Sequence, residues 1–393
     1  MSESPLLNTE LNTALSAAAH AQSLQDYALM GKTRALKLGN RGKARFDSAG
    51  KLTIDILEAY KLHGFYVFEG LVDEAEINEL QTQIQDLFER APVDKENYLD
   101  SQGRPAFGQA FKRNPYSFIR PLSDPWGGTD LLGGRHQTKM AEPTPDSQAP
   151  AKTIFLMHGM CQIMEAGLRL YGHNDLLAIA ASINGSDFVP YNDAIFVKQP
   201  GLGGAVSWHQ DGVTHWNAKN WDEGIHGFNF QVQLYACTPQ NCLWVVPGTH
   251  KLGKIDIKKR VANNLGLDQL PDAVPLMCQP GDVTIVNRQL LHGSFANTSP
   301  DLRVSLTFGF HRRSSVLGQQ GALSQTDNET YDEARIFERA ALIPLAIDAR
   351  SQYYKTEPRF EYEPFKGITD EFRDTEQNRT KYLMDYNLKD LSI

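Results

Sequence analysis

The stretch that decides the reading is Gly201-Leu202-Gly203-Gly204 followed by Trp208-His209-Gln210-Asp211. On an extended strand, residues i and i+2 project from the same face. His209 and Asp211 thus present an imidazole and a carboxylate together. A further imidazole comes from Leu291-His292-Gly293-Ser294, 83 residues after His209, and Arg303 lies 11 residues beyond that. His-X-Asp alone is a weak signal. Joined to a Gly-rich turn, a distal His and a following Arg, all in one strand-rich region, it is a strong one.

Working outward, residues 190–315 alternate short β-branched and aromatic runs with Gly, Pro and Asn turns. The runs are Ala194–Lys198, Phe228–Cys237, Leu243–Val246, Asp282–Val286 and Arg303–His311. Several short strands at this spacing predict a sandwich or barrel. Two His and one carboxylate on one face form the facial set used by non-haem Fe(II) oxygenases, with the opposite positions open. Arg303 opens a mostly apolar strand, so its guanidinium faces either solvent or a buried anion. A guanidinium suits a carboxylate through two parallel hydrogen bonds. The far carboxylate of 2-oxoglutarate is such an anion, and Ser294 can add a hydrogen bond. The competing structural readings are a metal-free polar cluster for the triad and an ion pair with an acid such as Asp282 for Arg303.

The flanks read differently. Ile54–His63 is a short helix stopped by Gly64, and Phe65–Phe68 is a strand. Asp73 caps an amphipathic helix carrying Ile77, Leu80, Ile84 and Leu87 at helical spacing. Residues 93–150 are rich in Pro, Gly, Asp and Ser without a period, as in a lid or binding loop. Lys152–Tyr171 reads as a helix with Leu156, Met160, Ile163 and Leu170 inward, and Tyr331–Ile343 as a helix ending at Pro344. Residues 1–50 have helical spacing at Leu11, Leu15 and Ala18. Six basic residues and no acid lie between Lys32 and Arg45; they read as an arm packed on the protein's own acidic body, or as an anion contact. The expected organisation is an extension over 1–50, one domain over 51–325 with its core at 190–315, and a helical extension over 326–393.

Composition sets outer bounds. The chain has 393 residues, 41% of them hydrophobic, and a formal net charge of -8. That content supports a sizeable core, and the acidic balance argues against a nucleic-acid coat. Cys161, Cys237, Cys242 and Cys278 are too few for a disulfide scaffold and form no CxxC pair. No run reaches the ~18 apolar residues of a membrane span, and the N-terminus lacks the basic start and apolar core of a signal peptide. A soluble, cytoplasmic monomer or homodimer with a small-molecule substrate is expected, with no nucleic-acid or membrane partner.

With these residues in view, the chain resembles the phytanoyl-CoA dioxygenase family of Fe(II)/2-oxoglutarate oxygenases. The resembling segments are Tyr60–Gly70, Phe196–Gly201 leading to Trp208–Asp211, Leu243–His250, and Gly281–Val286 leading to His292, Ser294, Asn297 and Arg303. They run from about residue 53 to 313. The resemblance implies an α+β fold with a double-stranded β-helix (jelly roll, cupin-like) core and surrounding helices. It implies His209, Asp211 and His292 as iron ligands, Arg303 and Ser294 as 2-oxoglutarate contacts, and Phe230 as an aromatic residue beside the co-substrate. One departure is Cys242 after Asn241, where relatives carry Gly; it alters a turn and no ligand. Related halogenases replace the ligand acid by a small residue, so Asp211 favours hydroxylation or a related oxidation.

The implied reaction consumes 2-oxoglutarate and O2 and gives succinate, CO2 and a hydroxylated acyl-CoA or specialised metabolite. Desaturation or ring formation at the same iron, and a jelly-roll binding protein without turnover, are the alternatives. His215 and Trp216 are candidate substrate contacts in the loop 212–227; His215, His226 and Asp222 are rival ligands.

Overall fold

Hydrophobic alternation builds the central sheet. In a computed structural model the described residues are 16–94, 96–212, 226–264, 268–321 and 329–389. Twelve strands are present among them: β1 Arg41–Gly42, β2 Phe65–Phe68, β3 Tyr116–Ile119, β4 Thr153–His158, β5 Val189–Lys198, β6 Val206–His209, β7 Phe228–Gln233, β8 Trp244–Val245, β9 Val274–Pro275, β10 Val283–Asn287, β11 His292–Ser294 and β12 Arg303–His311. They form an eight-stranded sheet, β1-β2-β10-β7-β12-β5-β4-β3, and a four-stranded sheet, β6-β11-β8-β9. All pairs are antiparallel except β1 with β2. This is a jelly roll within an α+β fold.

Each central strand of the large sheet has two characters, as a period of two requires. Val304, Leu306, Phe308 and Phe310 of β12 enter the main apolar core, together with Phe228, Phe230 and Val232 of β7 and Ile195 and Val197 of β5. Helices α5 Glu165–Tyr171, α6 Asn174–Asn184 and α9 Leu342–Tyr353 supply the other side of that core. The residues between them, including Asn229, Gln231, Arg303, Thr307, Ala194 and Phe196, line a cavity facing the small sheet.

Both ends of the described chain are built into these layers. Helix α1 spans Ala17–Leu38 and starts at Ser16, whose hydroxyl accepts from Ala19 N–H. It packs on the outer face of the small sheet, where Tyr27 stacks on Trp244 at 4.5 Å and donates its hydroxyl proton to Leu270 C=O. Leu11 and Leu15 lie outside the described residues. The three arginines of the basic run contact the protein's own body: Arg41 pairs with Glu69 at 2.6 Å, Arg45 with Asp55, and Arg34 donates to Ala273 C=O, while Lys32, Lys37 and Lys43 are exposed.

Two expected helices differ. The first part of Lys152–Tyr171 is strand β4, because Thr153, Ile154 and Phe155 favour extended pairing between β3 and β5. Gly159, at φ 78°, then turns the chain into short α4 Met160–Ile163 and α5. A buried apolar run of this length satisfies either period. Pro344 does not end a helix. The break falls at Ala341, between α8 Glu333–Ala340 and α9, and Pro344 sits in the first turn of α9, where its missing N–H has no intrahelical acceptor to lose.

Helix α2 (Ile54–His63), strand β2 and helix α3 (Glu74–Glu89) match the expected boundaries, with Asp73 Oδ1 accepting from Glu76 N–H. Gly64 closes α2 at φ 80°, and a Cβ there would sit 2.6 Å from His250 Nδ1 and 2.8 Å from Leu290 Cδ1. Gly64→Ala is therefore expected to cost about 2 kcal/mol through backbone strain and overpacking together. The urea midpoint measures it; an unchanged midpoint contradicts the cap.

Candidate metal centre

His209 ends β6, and His292 opens β11 directly opposite it in the antiparallel register. Cross-strand partners share a face, and the two rings lie 4.0 Å apart between centroids. Asp211, two residues on, turns to the same point, held by its backbone N–H donating to Arg288 C=O at 2.7 Å. His209 Nε2 is 3.7 Å from Asp211 Oδ1, and His292 Nε2 is 3.9 Å from Asp211 Oδ2. One ligand atom from each residue falls within 4.8 Å of the others, and all three residues are buried.

The donor chemistry fits a divalent cation. Each ring's Nδ1 is 2.7–2.8 Å from a backbone carbonyl, that of Ser207 for His209 and of Leu290 for His292. A proton on Nδ1 leaves Nε2 as a lone-pair donor toward the common point. Burial, then the neighbouring His292, pushes His209 well below the ordinary histidine range, and burial lowers His292 too. Both rings stay neutral and available. Burial works against the Asp211 charge, but the Arg135 guanidinium, with Arg288 behind it, outweighs it and holds the carboxyl below its usual range.

The three residues open onto a cavity of about 240 Å³ between the sheets. Val206, Leu243 and Ser294 line it from the small sheet's side; Phe196, Gln231, Arg303 and Thr307 line it from the large sheet. Arg303 is 2% exposed and donates to Gln231 Oε1 at 3.0 Å and Ser305 Oγ at 3.4 Å. Its Nε has no acceptor. Asp282 is engaged elsewhere, accepting from Gly70 and Gln279 N–H and lying 3.7 Å from Arg41. The ion-pair reading of Arg303 is thereby removed. Neighbouring Lys198 is also buried, but its ammonium donates to Gly204 and Phe295 carbonyls. Arg303 pairs with Lys198 and Thr307 with Ala194. Four residues of strand, roughly 13 Å, thus separate the Arg303 row from the row of Thr307, Ala194 and His158.

Phe230 is a correction. It lies one residue from Asn229 and Gln231, so the strand's alternation turns it into the apolar core against Phe228, Phe308 and Phe310. Phe230→Leu is expected to lower stability by about 1 kcal/mol while leaving 2-oxoglutarate affinity unchanged. Parallel urea and ligand titrations check this; a weakened affinity would restore the residue to the site. His215, Trp216 and Asp222 lie outside the described residues. His226 does not join the ligand cluster, and its carbonyl accepts from His311 and Ser315. His250 belongs to a turn, 3.0 Å from Lys61 C=O. The four cysteines are buried and unpaired.

Other site residues came, apart from Asn229 of β7, from segments without a readable period. Arg135 lines the cavity with its Nη1 2.6 Å from Asp211 Oδ1. His136 stacks on the His209 ring at 4.2 Å with Nδ1 3.1 Å from Ser207 Oγ. Asn229 Nδ2 donates to Asp211 Oδ2 at 3.1 Å. Trp126, Leu132 and Arg135 bring the irregular stretch 93–150 to the cavity, and Asn387 and Leu388 bring the C-terminal segment there. The one available signal was the motif Leu131-Leu132-Gly133-Gly134-Arg135-His136, whose glycines mark a built turn.

Phytanoyl-CoA dioxygenase 1 of Oryza sativa subsp. japonica is 33% identical over 121 residues, covering 28% of this chain and 40% of that protein. Phytanoyl-CoA dioxygenase of Arabidopsis thaliana is 29% identical over 133 residues, covering 32% and 45%. The chain thus spans less than half the length of these two relatives. Among solved structures, EctD from S. alaskensis with 2-oxoglutarate and 5-hydroxyectoine is 18% identical, with a TM-score of 0.47 over 70% of this chain and 81% of that one. AviO1 from Streptomyces viridochromogenes Tue57 is 19% identical, with a TM-score of 0.45 over 69% and 98%. The family model described as phytanoyl-CoA dioxygenase matches residues 60–305, which hold all four residues of the triad and its arginine. With more than half its length inside that match, the chain belongs to the phytanoyl-CoA dioxygenase family.

Proposed function

We propose that this chain is an Fe(II)- and 2-oxoglutarate-dependent dioxygenase that hydroxylates an unactivated C–H bond of a small molecule. The observation that carries the reading is one cavity lined by both a buried two-His, one-carboxylate set and a buried arginine that pairs with no carboxylate. Bound iron, 2-oxoglutarate and O2 supply the oxidising power: one oxygen atom goes to the substrate, the other to succinate, and CO2 leaves.

The chain's own residues do the rest. His209, Asp211 and His292 hold the metal, with their orientations fixed by the Ser207 and Leu290 carbonyls and by Asn229. Arg303, steadied by Gln231, grips the far carboxylate of 2-oxoglutarate, and Ser294 lies within the same cavity. Val206, Leu243, Leu156 and Phe196 provide apolar walls that exclude water. No described helix is long and apolar enough to cross a membrane.

The test is anaerobic addition of Fe(II) and 2-oxoglutarate, expected to give a weak visible charge-transfer band, then O2, expected to release succinate. Absence of the band sinks the iron reading. A band without succinate, across a broad substrate screen, leaves a binding protein. A product that gains one oxygen, rather than losing two hydrogens, distinguishes hydroxylation from desaturation or ring closure.

A further inference from the structure

We infer that the substrate carries a carboxylate or phosphate group and that Arg135 grips it beside the metal centre. This inference rests on the dioxygenase reading and adds the substrate's charge class to it.

Arg135 is an unusual arginine. Its side chain is 11% exposed and lines the cavity. Its Nη1 approaches Asp211 Oδ1 to 2.6 Å, yet outside hydrogen-bond geometry. Nε and Nη1 are both shielded from solvent and without an acceptor. A buried guanidinium has a planar fork of donors suited to two oxygens of one anion. Here two of its donor nitrogens, Nε and Nη1, are unspent. The chain also goes to some length to present it: Leu132, Gly133 and Gly134, immediately before it, all take left-handed backbone (φ 51°, 69° and 69°). That conformation is sparsely populated for a leucine.

Charge balance supplies the second argument. Among the described residues lining the cavity, Asp211 is the one acidic residue. A divalent cation on Asp211 leaves one net positive charge, and Arg303 adds another. Dianionic 2-oxoglutarate cancels both. Arg135 then remains as a buried positive charge whose one carboxylate partner among the described residues is committed to the metal. Burying such a charge unpaired is costly. An anionic group on the substrate restores neutrality and uses the free donors. Arg113, half-buried next to His158, has partners of its own and does not enter this balance. Simple positioning of Asp211 is the competing role, but Asn229 already hydrogen-bonds that carboxylate.

The experiment loads the full chain with Zn(II) and saturating 2-oxoglutarate, so that Arg303 is occupied, and titrates benzoate, phenyl phosphate and benzamide by calorimetry. Benzoate or phenyl phosphate is expected to bind at least about tenfold more tightly than benzamide, as a charge-assisted pair requires. Whichever anion binds more tightly identifies the group. Arg135→Gln is expected to erase the preference while zinc and 2-oxoglutarate affinities change by less than about threefold. No anion preference in the wild type, or a preference that survives Arg135→Gln, overturns the inference. So does a variant that loses zinc along with the anion, which assigns Arg135 to positioning Asp211. Failure of the wild type to bind zinc or 2-oxoglutarate sinks the dioxygenase reading itself, and is separately visible.

Discussion

The double variant His209→Ala/Asp211→Ala is expected to bind no iron at working concentrations and to release succinate at the rate of a protein-free control. The reason is geometric. His292 alone remains, and one neutral imidazole does not hold Fe(II) against water. Even residues that merely orient ligands cost about 10–100-fold in metal affinity when removed, so loss of two ligands exceeds that range. Metal content after desalting and the anaerobic visible band are the measurements, with far-UV circular dichroism as the control for folding. The control matters because Asp211 is the counter-charge of Arg135 at 2.6 Å, and its removal leaves a buried guanidinium unpaired. Asp211→Asn alone separates the effects: shape and the Asn229 contact persist while the charge is lost. A band of wild-type intensity in the double variant would remove these residues from the centre.

How much of this was legible beforehand depends on whether a residue lies on a regular element. His209, Asp211 and His292 were readable because period-two projection and pairing between β6 and β11 are properties of strands. Arg303 was readable as the first residue of an apolar strand, which it is. Phe230 was misplaced although it too lies on a strand. The resemblance fixed its strand but not its parity, and a shift of one residue exchanges cavity for core. The failure at Lys152–Tyr171 has a related origin: a short apolar run fits two periods, and pairing with β3 and β5 decides between them. Arg135 and His136 were invisible for another reason. They sit in irregular backbone, whose course is set by long-range contacts, such as that of His136 with Ser207 across 71 residues. Locally, only the glycines Gly133 and Gly134 mark their turn. Likewise Asn387 reaches the cavity from a segment read as an extension. Tyr386 anchors that segment by donating its hydroxyl proton to Asp193, next to the cavity-lining Ala194.

Arg303→Ala is expected to weaken 2-oxoglutarate binding by about 3 kcal/mol, roughly two orders of magnitude in Kd, while leaving metal affinity nearly intact. The size follows from burial. At 2% exposure the guanidinium is shielded from water, and a co-substrate carboxylate entering its row without it is desolvated and unpaired. The selectivity follows from distance along the fold. Arg303 is held by Gln231 and Ser305 and makes no contact with Asp211, whereas Arg135 does. Nor can the adjacent Lys198 substitute, because its ammonium is already spent on the Gly204 and Phe295 carbonyls. Arg303→Lys keeps the charge but loses the two-pronged geometry, so it is expected to recover only part of the affinity. Anaerobic titration of 2-oxoglutarate into Fe(II)-loaded protein, followed by the visible band, reads both variants. Equal loss of iron and 2-oxoglutarate in Arg303→Ala would mean that the residue supports the fold of the site rather than the co-substrate. Full affinity in Arg303→Lys would mean that charge alone, without the fork, is what the far carboxylate meets.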